Sequence, residues 1–534
     1  MAASKYGCTV SYPEYSAVAN EEQPLLYQRR SRLTEFNKTV LVVSFITFIS
    51  SLEVTAIAAI GPIVSLEYDN VSLGLHIATT NLLFSTASTP ICAKLSDVIG
   101  RKLILLISSV LYTFGSLLSG ASTGVPLLLL GRSISGLGLG GISVMISVIL
   151  SETVELKQRA LWHSVGKAIS CAAVAIGGPL GGWISDHYNW RTVFYSQTCL
   201  GVVSTILIAL LMWPLLESKD NSQQLSVFAQ NIPVAGHGTV KDILRSDCFS
   251  CIYLLLTLVS AYFCFSRWLI DLLVPFHEMQ NIAQMIWGLT CLISISAFIF
   301  SERKSQYPIF ALDHFRVKAV LPILLIIFLS SMIHQAVLYN APLYAIIIDH
   351  ASAATAGIYI LPVSIAAVFA TLLSGLRISV TGRYKSILIL GALCVSLGPS
   401  IFLVVSLMDP EAFGYTFMEI CGSFPSSFGY QVVNSVSTVV ILTHCNQGNV
   451  ATLTSHSTLI KSLGGVFGTA ISSFLIDGPR SAQGLRIMAN NSEAIISFVP
   501  EQRKRFTVMF TFLAVASLPS ILIARSGIGE SALL

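Results

Sequence analysis

The sequence predicts an all-α polytopic membrane protein of about fourteen transmembrane helices, and three observations carry that reading. Hydrophobic residues make up 54% of the 534-residue chain and charged residues only 11%. The charged share is less than half the roughly 25% of soluble domains, so lipid must cover most of the surface. The apolar residues gather into stretches of membrane-crossing length, and the basic residues concentrate in alternate gaps between those stretches.

A hydrocarbon core of ~30 Å needs roughly 17–25 apolar residues per crossing. Six such stretches lie at 39–62, 74–93, 103–121, 127–149, 161–184 and 192–215. A polar stretch from Glu217 to Asp247 follows, then two spans near 249–270 and 283–301. Six more lie near 318–346, 354–376, 386–407, 412–442, 449–475 and 506–524. Backbone groups in hydrocarbon must be satisfied within their own segment, so each stretch is expected to be a helix. The organisation expected is a polar tail (1–38), a six-helix half (39–215), a linker (216–248), two extra helices (249–301), a second six-helix half (302–525) and a short tail (526–534).

Orientation follows from the basic residues. With the N-terminus in the cytosol, Arg29, Arg30, Arg32, Lys94, Arg101, Lys102, Lys157, Arg159, Lys241, Arg245, Arg303, Lys304, Arg383 and Lys385 are all cytosolic. The opposite loops carry Glu67, Asp69, Asp349, Asp409 and Glu411, as the positive-inside rule requires. One late loop, with Arg480, Arg486, Arg503, Lys504 and Arg505, breaks the pattern. The sequons at Asn70 and Asn490 fall on the non-cytosolic side and are candidate glycosylation sites. With a polar start of 38 residues, no cleavable signal peptide is expected. Cys248 and Cys251 form a CxxC without a second Cys or His pair, so neither a metal nor any other cofactor is expected.

Ionisable groups inside spans cost about 2.5–3.5 kcal/mol or more each and are functional candidates by default. They are Glu53 (first span), Arg132 (fourth), Lys167 (fifth), Glu419 (twelfth) and Lys461 (thirteenth). At ~1.5 Å rise per residue, Glu53 lies ~21 Å from the cytosolic end of its span, and Arg132 comes out at a similar height. A Glu53–Arg132 pair is one reading; snorkelling or separate structural bonds are the other. Lys167, closer to the cytosolic face, reads first as a snorkelling lysine.

Three motifs carry a family resemblance. Lys94-Leu95-Ser96-Asp97-Val98-Ile99-Gly100-Arg101-Lys102 sits in the polar gap after the second span. Leu130-Gly131-Arg132-Ser133-Ile134-Ser135-Gly136 opens the fourth, and Gly177-Gly178-Pro179-Leu180-Gly181-Gly182 closes the fifth. Together they resemble transporters of the major facilitator superfamily, and more closely the fourteen-helix drug:proton antiporters and fungal vacuolar basic amino acid transporters. The chain departs from the pattern at Ala93, at Ser135 (a Gln in the family), at Val165 and Val174, and at Glu53, where the branch has Asp.

The resemblance implies two six-helix halves around a midplane substrate site. Gly382-Arg383-Tyr384-Lys385, the echo of Gly100-Arg101-Lys102, agrees with that duplication. It further implies that Asp97, Gly100, Arg101 and Lys102 form a conformational motif, and that Gly178, Pro179, Gly181 and Gly182 pack or gate. Glu53, Arg132, Glu419 and Lys461 become the proton and substrate candidates. Glu21, Leu25 and Leu26 fit an ExxxLL sorting signal for a lysosome-like organelle, read by a sorting adaptor.

The function expected is proton-coupled antiport of basic amino acids (Lys, His, Arg) from cytosol into the vacuole by a monomer in the vacuolar membrane. Multidrug or toxin export, with a plasma-membrane location, and a transport-weak nutrient sensor are the alternatives. Neither an enzyme nor a nucleic-acid partner is expected, because the sequence offers no nucleophile–base pair and no nucleotide-phosphate loop.

Overall fold

The computed structural model describes residues 15–68, 70–154, 159–212, 240–265, 277–304, 320–381, 384–408, 415–443, 450–476 and 492–526. The elements are α1 (Tyr15–Glu67), α2 (Leu73–Ile99), α3 (Arg101–Gly120), α4 (Val125–Thr153), α5 (Arg159–His187) and α6 (Trp190–Leu207), which runs on into a π-turn at Ile208–Met212. Then come α7 (Val240–Phe265), α8 (His277–Lys304), α9 (Val320–Ile347), the short α10 (Ala353–Ile358), α11 (Leu361–Thr381), α12 (Lys385–Leu407), α13 (Tyr415–Thr443), α14 (Val450–Ile476) and α15 (Ser492–Ser526). The described residues contain no strand. The architecture is all-α and polytopic.

Eleven of these segments are long and apolar enough to cross a membrane. The segments expected at 74–93, 249–270 and 412–442 are the exceptions; each is a long helix, α2, α7 or α13, outside that set. In α2 the reason is plain: it carries His76, Thr79, Thr80, Asn81, Thr86, Ser88 and Thr89 because it faces protein rather than lipid. Its hydroxyls return to their own helix, with Thr79 donating to the Leu75 carbonyl and Thr86 to the Leu82 carbonyl, both at 2.7 Å. The first helix is longer than its apolar stretch and runs back through the tail to Tyr15.

For orientation, the end bearing the turn at Gly100 is called the basic end and the opposite one the far end. Helices α1–α6 pack on one another as one group and α9–α15 as a second, while α7 and α8 pair with each other and lie against α2 and α14. At the far end the two groups share one core: Ala58, Leu75 and Ala78 of the first pack with Ile333, Val337, Tyr339 and Leu343 of the second. At the basic end the cores separate. Val42, Ile46, Leu105 and Ile149 belong to the first group's cluster, and Ile323, Ile327, Leu388 and Val436 to the second's. A gap between the groups therefore opens toward the basic end, flanked on one side by α7, whose Leu254 and Leu258 bridge Ala87 of α2 and Leu459 of α14.

Small residues make the far-end closure. Gly182 lies so close to α10 that a Cβ there would stand 2.2 Å from the Ala353 carbonyl oxygen, and one at Gly178 would stand 2.8 Å from that of Gly357. The Asp186 carboxylate then caps α10, accepting from the N–H groups of Ala353 (3.2 Å) and Ala354 (2.8 Å). Outside this contact, Glu67 of α1 pairs with Arg191 at 3.0 Å and accepts from Trp190, tying α1 to α6.

This packing makes a direct prediction. Gly182→Leu should force α5 from α10 and open the far end. A cysteine at Ala58, which is 2% exposed in the parent, is then expected to react with a membrane-impermeant maleimide supplied from the far side. Equal protection in parent and variant would show that the closure lies elsewhere.

Candidate functional site

The fold brings two of the sequence candidates into direct contact. Glu53 of α1 and Arg132 of α4 are 1% and 2% exposed, and Arg132 Nη1 donates to Glu53 Oε1 at 2.5 Å. Helix α2 supplies the second partner. With its amide oxygen turned to the donors, Asn81 accepts from Arg132 Nη2 (3.0 Å), Ser135 Oγ (2.9 Å) and the Gly136 N–H (3.3 Å). The Phe194 ring of α6 lies 5.8 Å from the guanidinium carbon. Ser135, in the family's Gln position, thus reaches Asn81 rather than the arginine side chain.

The constellation is incomplete in a specific way. Glu53 Oε2 and Arg132 Nε have no well-aligned hydrogen-bond partner, and the hydroxyl of buried Tyr112 lies within hydrogen-bonding reach of the carboxylate. The guanidinium is thus held from three sides, by Glu53, Asn81 and the Phe194 ring. Tyr339, from the second group, is close enough for both charges to act on it. It lines a small far-end cavity with Ile57, Ala58, Gly61 and Leu343, so the ion pair adjoins the surface on which the two groups meet.

The other candidates sit apart from this pair. Glu419 is the fifth residue of α13, near the far end; its side chain lies outside those described. Lys461 is on α14, where its carbonyl accepts from Ser331 Oγ of α9 at 2.6 Å. Gly100 makes the turn between α2 and α3 with φ 105°, a conformation open to glycine and strained for other residues. Arg101 donates to Ser96 Oγ at 2.8 Å and Lys102 follows it in α3. Asp97 lies in the last turn of α2, its side chain outside those described. The glycines around Pro179 form two seams: Gly181 faces Ala56 of α1, while Gly178 and Gly182 face α10.

Glu21, Leu25 and Leu26 fall in the helical extension of α1, with side chains outside those described, and Asn490 is outside the described residues. Asn70 requires a correction. It is 1% exposed, and its Oδ1 accepts from the Ser72 N–H (2.9 Å) and Ser72 Oγ (2.8 Å). A glycan on that side chain has no room in the folded protein, because the amide is turned inward to hold the start of α2.

Two residues of the arrangement escape a reading confined to charged groups, and Asp186, at the end of its span, escapes one confined to the membrane interior. Asn81 anchors the arginine. The other is His76, fully buried, with Nδ1 2.7 Å from the Tyr262 hydroxyl of α7 and Nε2 3.2 Å from Ser473 Oγ of α14. It joins the first group, the extra helix pair and the second group at one point. The signal available was the polar density of α2, which an interior helix needs and a lipid-facing one does not tolerate.

Comparison with known proteins agrees with this architecture. Residues 43–307 match the family model described as Major Facilitator Superfamily. The chain is 26% identical to the multidrug resistance protein fnx1 of Schizosaccharomyces pombe over 85% of this chain and 82% of that one. It is 24% identical to the multidrug transporter MdtP of Bacillus subtilis over 88% and 80%, and 25% identical to the S. pombe vacuolar membrane amino acid uptake transporter fnx2 over 80% and 70%. Among solved structures, an inward-facing bacterial homologue of the lysosomal transporter Spinster superposes with a TM-score of 0.58 at 14% identity, covering 92% of this chain and 97% of that one. A D-xylose–proton symporter superposes with a TM-score of 0.56 at 14% identity over 92% and 98%. The family and its structural neighbours are membrane transporters, not enzymes.

The pair itself is testable. Arg132→Met would leave the buried Glu53 carboxylate without its cation, a loss of about 3–5 kcal/mol, whereas Glu53→Gln still offers the guanidinium an amide oxygen beside that of Asn81. Arg132→Met alone is therefore expected to cut the amount of folded protein severely, and Arg132→Met combined with Glu53→Gln to restore most of it. Fluorescence-detected size-exclusion chromatography of both variants makes the measurement; equal losses in the single and double variants would contradict the pairing.

Proposed function

We propose that this protein is a transporter of the major facilitator superfamily, a proton-coupled antiporter that moves amino acids, basic ones foremost, from the cytosol into the vacuole. The observation that carries the reading is the Glu53–Arg132 pair: a carboxylate out of reach of water, with one oxygen free, adjoining the contact between the two helix groups. In one state Glu53 holds Arg132. In the other a proton neutralises Glu53, the arginine turns toward Asn81, and the packing around Tyr339 loosens. A proton gradient biases that balance, and the gap at the basic end, cytosolic by the charge pattern, receives the cargo. Asp97, Gly100, Arg101 and Lys102 would control closure on that side, and Gly178, Pro179, Gly181 and Gly182 would control it on the other.

The amino acid assignment and the vacuolar membrane draw support from the S. pombe uptake transporter and from Glu21, Leu25 and Leu26 in the tail. The second reading, export of drugs or toxins, is favoured by the relatives named as multidrug transporters. Glu419 is next in line as a proton carrier should Glu53 fail.

Glu53→Gln separates coupling from binding. Gln is nearly isosteric but does not titrate, so we expect the variant to lose proton-driven accumulation of L-lysine in proteoliposomes. It should retain exchange of labelled for unlabelled L-lysine without a gradient. Gradient-driven accumulation at the parental level would overturn the coupling role. L-lysine transport by neither protein, with a drug moved by the parent, would favour the export reading.

A further inference from the structure

The gap at the basic end contains two cations that the ion pair does not explain. Gly178 of α5 touches α10 of the second group. Lys167 lies eleven residues earlier on α5, which returns it to nearly the same face and ~16 Å nearer the basic end. It is therefore below the point where the groups meet, on the side that faces the second group, and it is exposed. On α14, Gly465 meets both Leu82 of α2 and Gln335 of α9. Lys461 is one turn nearer the basic end on the same face and is half-buried. The two ammonium groups thus face one gap from opposite walls, near enough that the charge of Lys461 acts on Lys167.

Neither lysine has an acidic partner among the described residues. The ion pairs present there join Arg132 to Glu53, Arg191 to Glu67 and Arg505 to Glu501, and the acid nearest the middle of the membrane, Glu53, is already committed. Among the described side chains, then, no acid offsets the two lysines. Beside Lys461 the second group's wall is hydrogen-bonding and aromatic: Ser331 donates to the Lys461 carbonyl, and His334 stacks on Tyr430 at 4.2 Å with planes 5° apart. Such a wall suits an organic anion better than a bare ion.

We propose that Lys167 and Lys461 form a two-sided clamp for an anionic group of the cargo, most simply a carboxylate. The clamp rests on the reading that the gap is the cargo entrance, and it gives that entrance a charge requirement. It also supplies a gate. As the empty gap closes and water leaves it, the two ammonium groups repel more strongly, and an anion between them converts that repulsion into attraction. The loaded carrier can then close where the empty one does not. Substrates that are only cationic, with no acid group, would fit this entrance poorly, and amino acids satisfy it through the α-carboxylate whatever their side chain.

The test uses the purified full-length chain in lipid nanodiscs and matched probes differing only in the anion: L-lysine against L-lysinamide, and benzoate against benzamide. We expect the carboxylates, and not the amides, to raise the thermal midpoint in a saturable manner. Lys167→Met and Lys461→Met should each weaken the apparent affinity about tenfold or more, as expected for a lost charge-assisted hydrogen bond. Lys461→Arg should keep the response, which guards against a variant that merely misfolds. Glu53→Gln should also keep it while losing proton-driven accumulation, so the clamp and the coupling fail separately. Lysine-dependent stabilisation by benzoate but not by L-lysine would leave the clamp standing and remove the amino acid assignment. Equal responses to acid and amide, or a carboxylate response unchanged in both Met variants, would overturn the clamp.

Discussion

A charge inside a membrane protein has to be answered by the protein itself, and the contact between Glu53 and Arg132 is where this chain does so. The two side chains are almost fully buried and come from α1 and α4, so their attraction ties together helices that loops alone would leave free to rotate. Asn81, Ser135 and Phe194 are arranged around the arginine rather than the carboxylate. The free Oε2 of Glu53 is the consequence that matters. A fully satisfied pair would be a strut; the proposal that Glu53 takes up a proton gives this one a second state.

That second state has somewhere to act. Ile57, Ala58 and Gly61 lie one to two turns beyond Glu53 on α1 and pack against Tyr339 and Leu343 of the second group. A shift in α1 therefore reaches the far-end contact directly, without a long chain of intermediaries. The same end is held by the Asp186 cap on α10, the glycine seam of α5 and the bonds of His76 to α7 and α14. These backbone contacts and single hydrogen bonds surround the apolar core that the two groups share at that end.

Much of this was legible in the sequence because lipid leaves so few options. Apolar length fixed where helices run, and spare charge within them singled out Glu53 and Arg132, whose matched depths already allowed the pair. What remained hidden was polar and uncharged. Asn81, Tyr112 and His76 carry no fixed charge, so a search for charges within spans passes over them, and only the polar density of α2 pointed toward the first and the third. Lys167 was readable as a snorkelling lysine until the fold turned its face toward the second group. Asn70 misled for the opposite reason, since a sequon describes a neighbourhood of residue types and says nothing of which way the amide points. The span count was blurred at α2, α7 and α13; α2 is held among protein rather than against lipid and can afford polar residues.

The central claim, that Glu53 is a carboxyl group that gains and loses a proton in the working cycle, is open to direct observation by infrared difference spectroscopy. Spectra of the reconstituted protein at acidic and alkaline pH should differ in the stretching band of a protonated carboxylic acid in a dry environment. That band should vanish in Glu53→Gln and change when cargo is added at constant pH. A band that persists unchanged in Glu53→Gln, or no pH-dependent carboxyl signal in the parent, would mean that Glu53 stays ionised beside Arg132 throughout and that the pair is a strut after all.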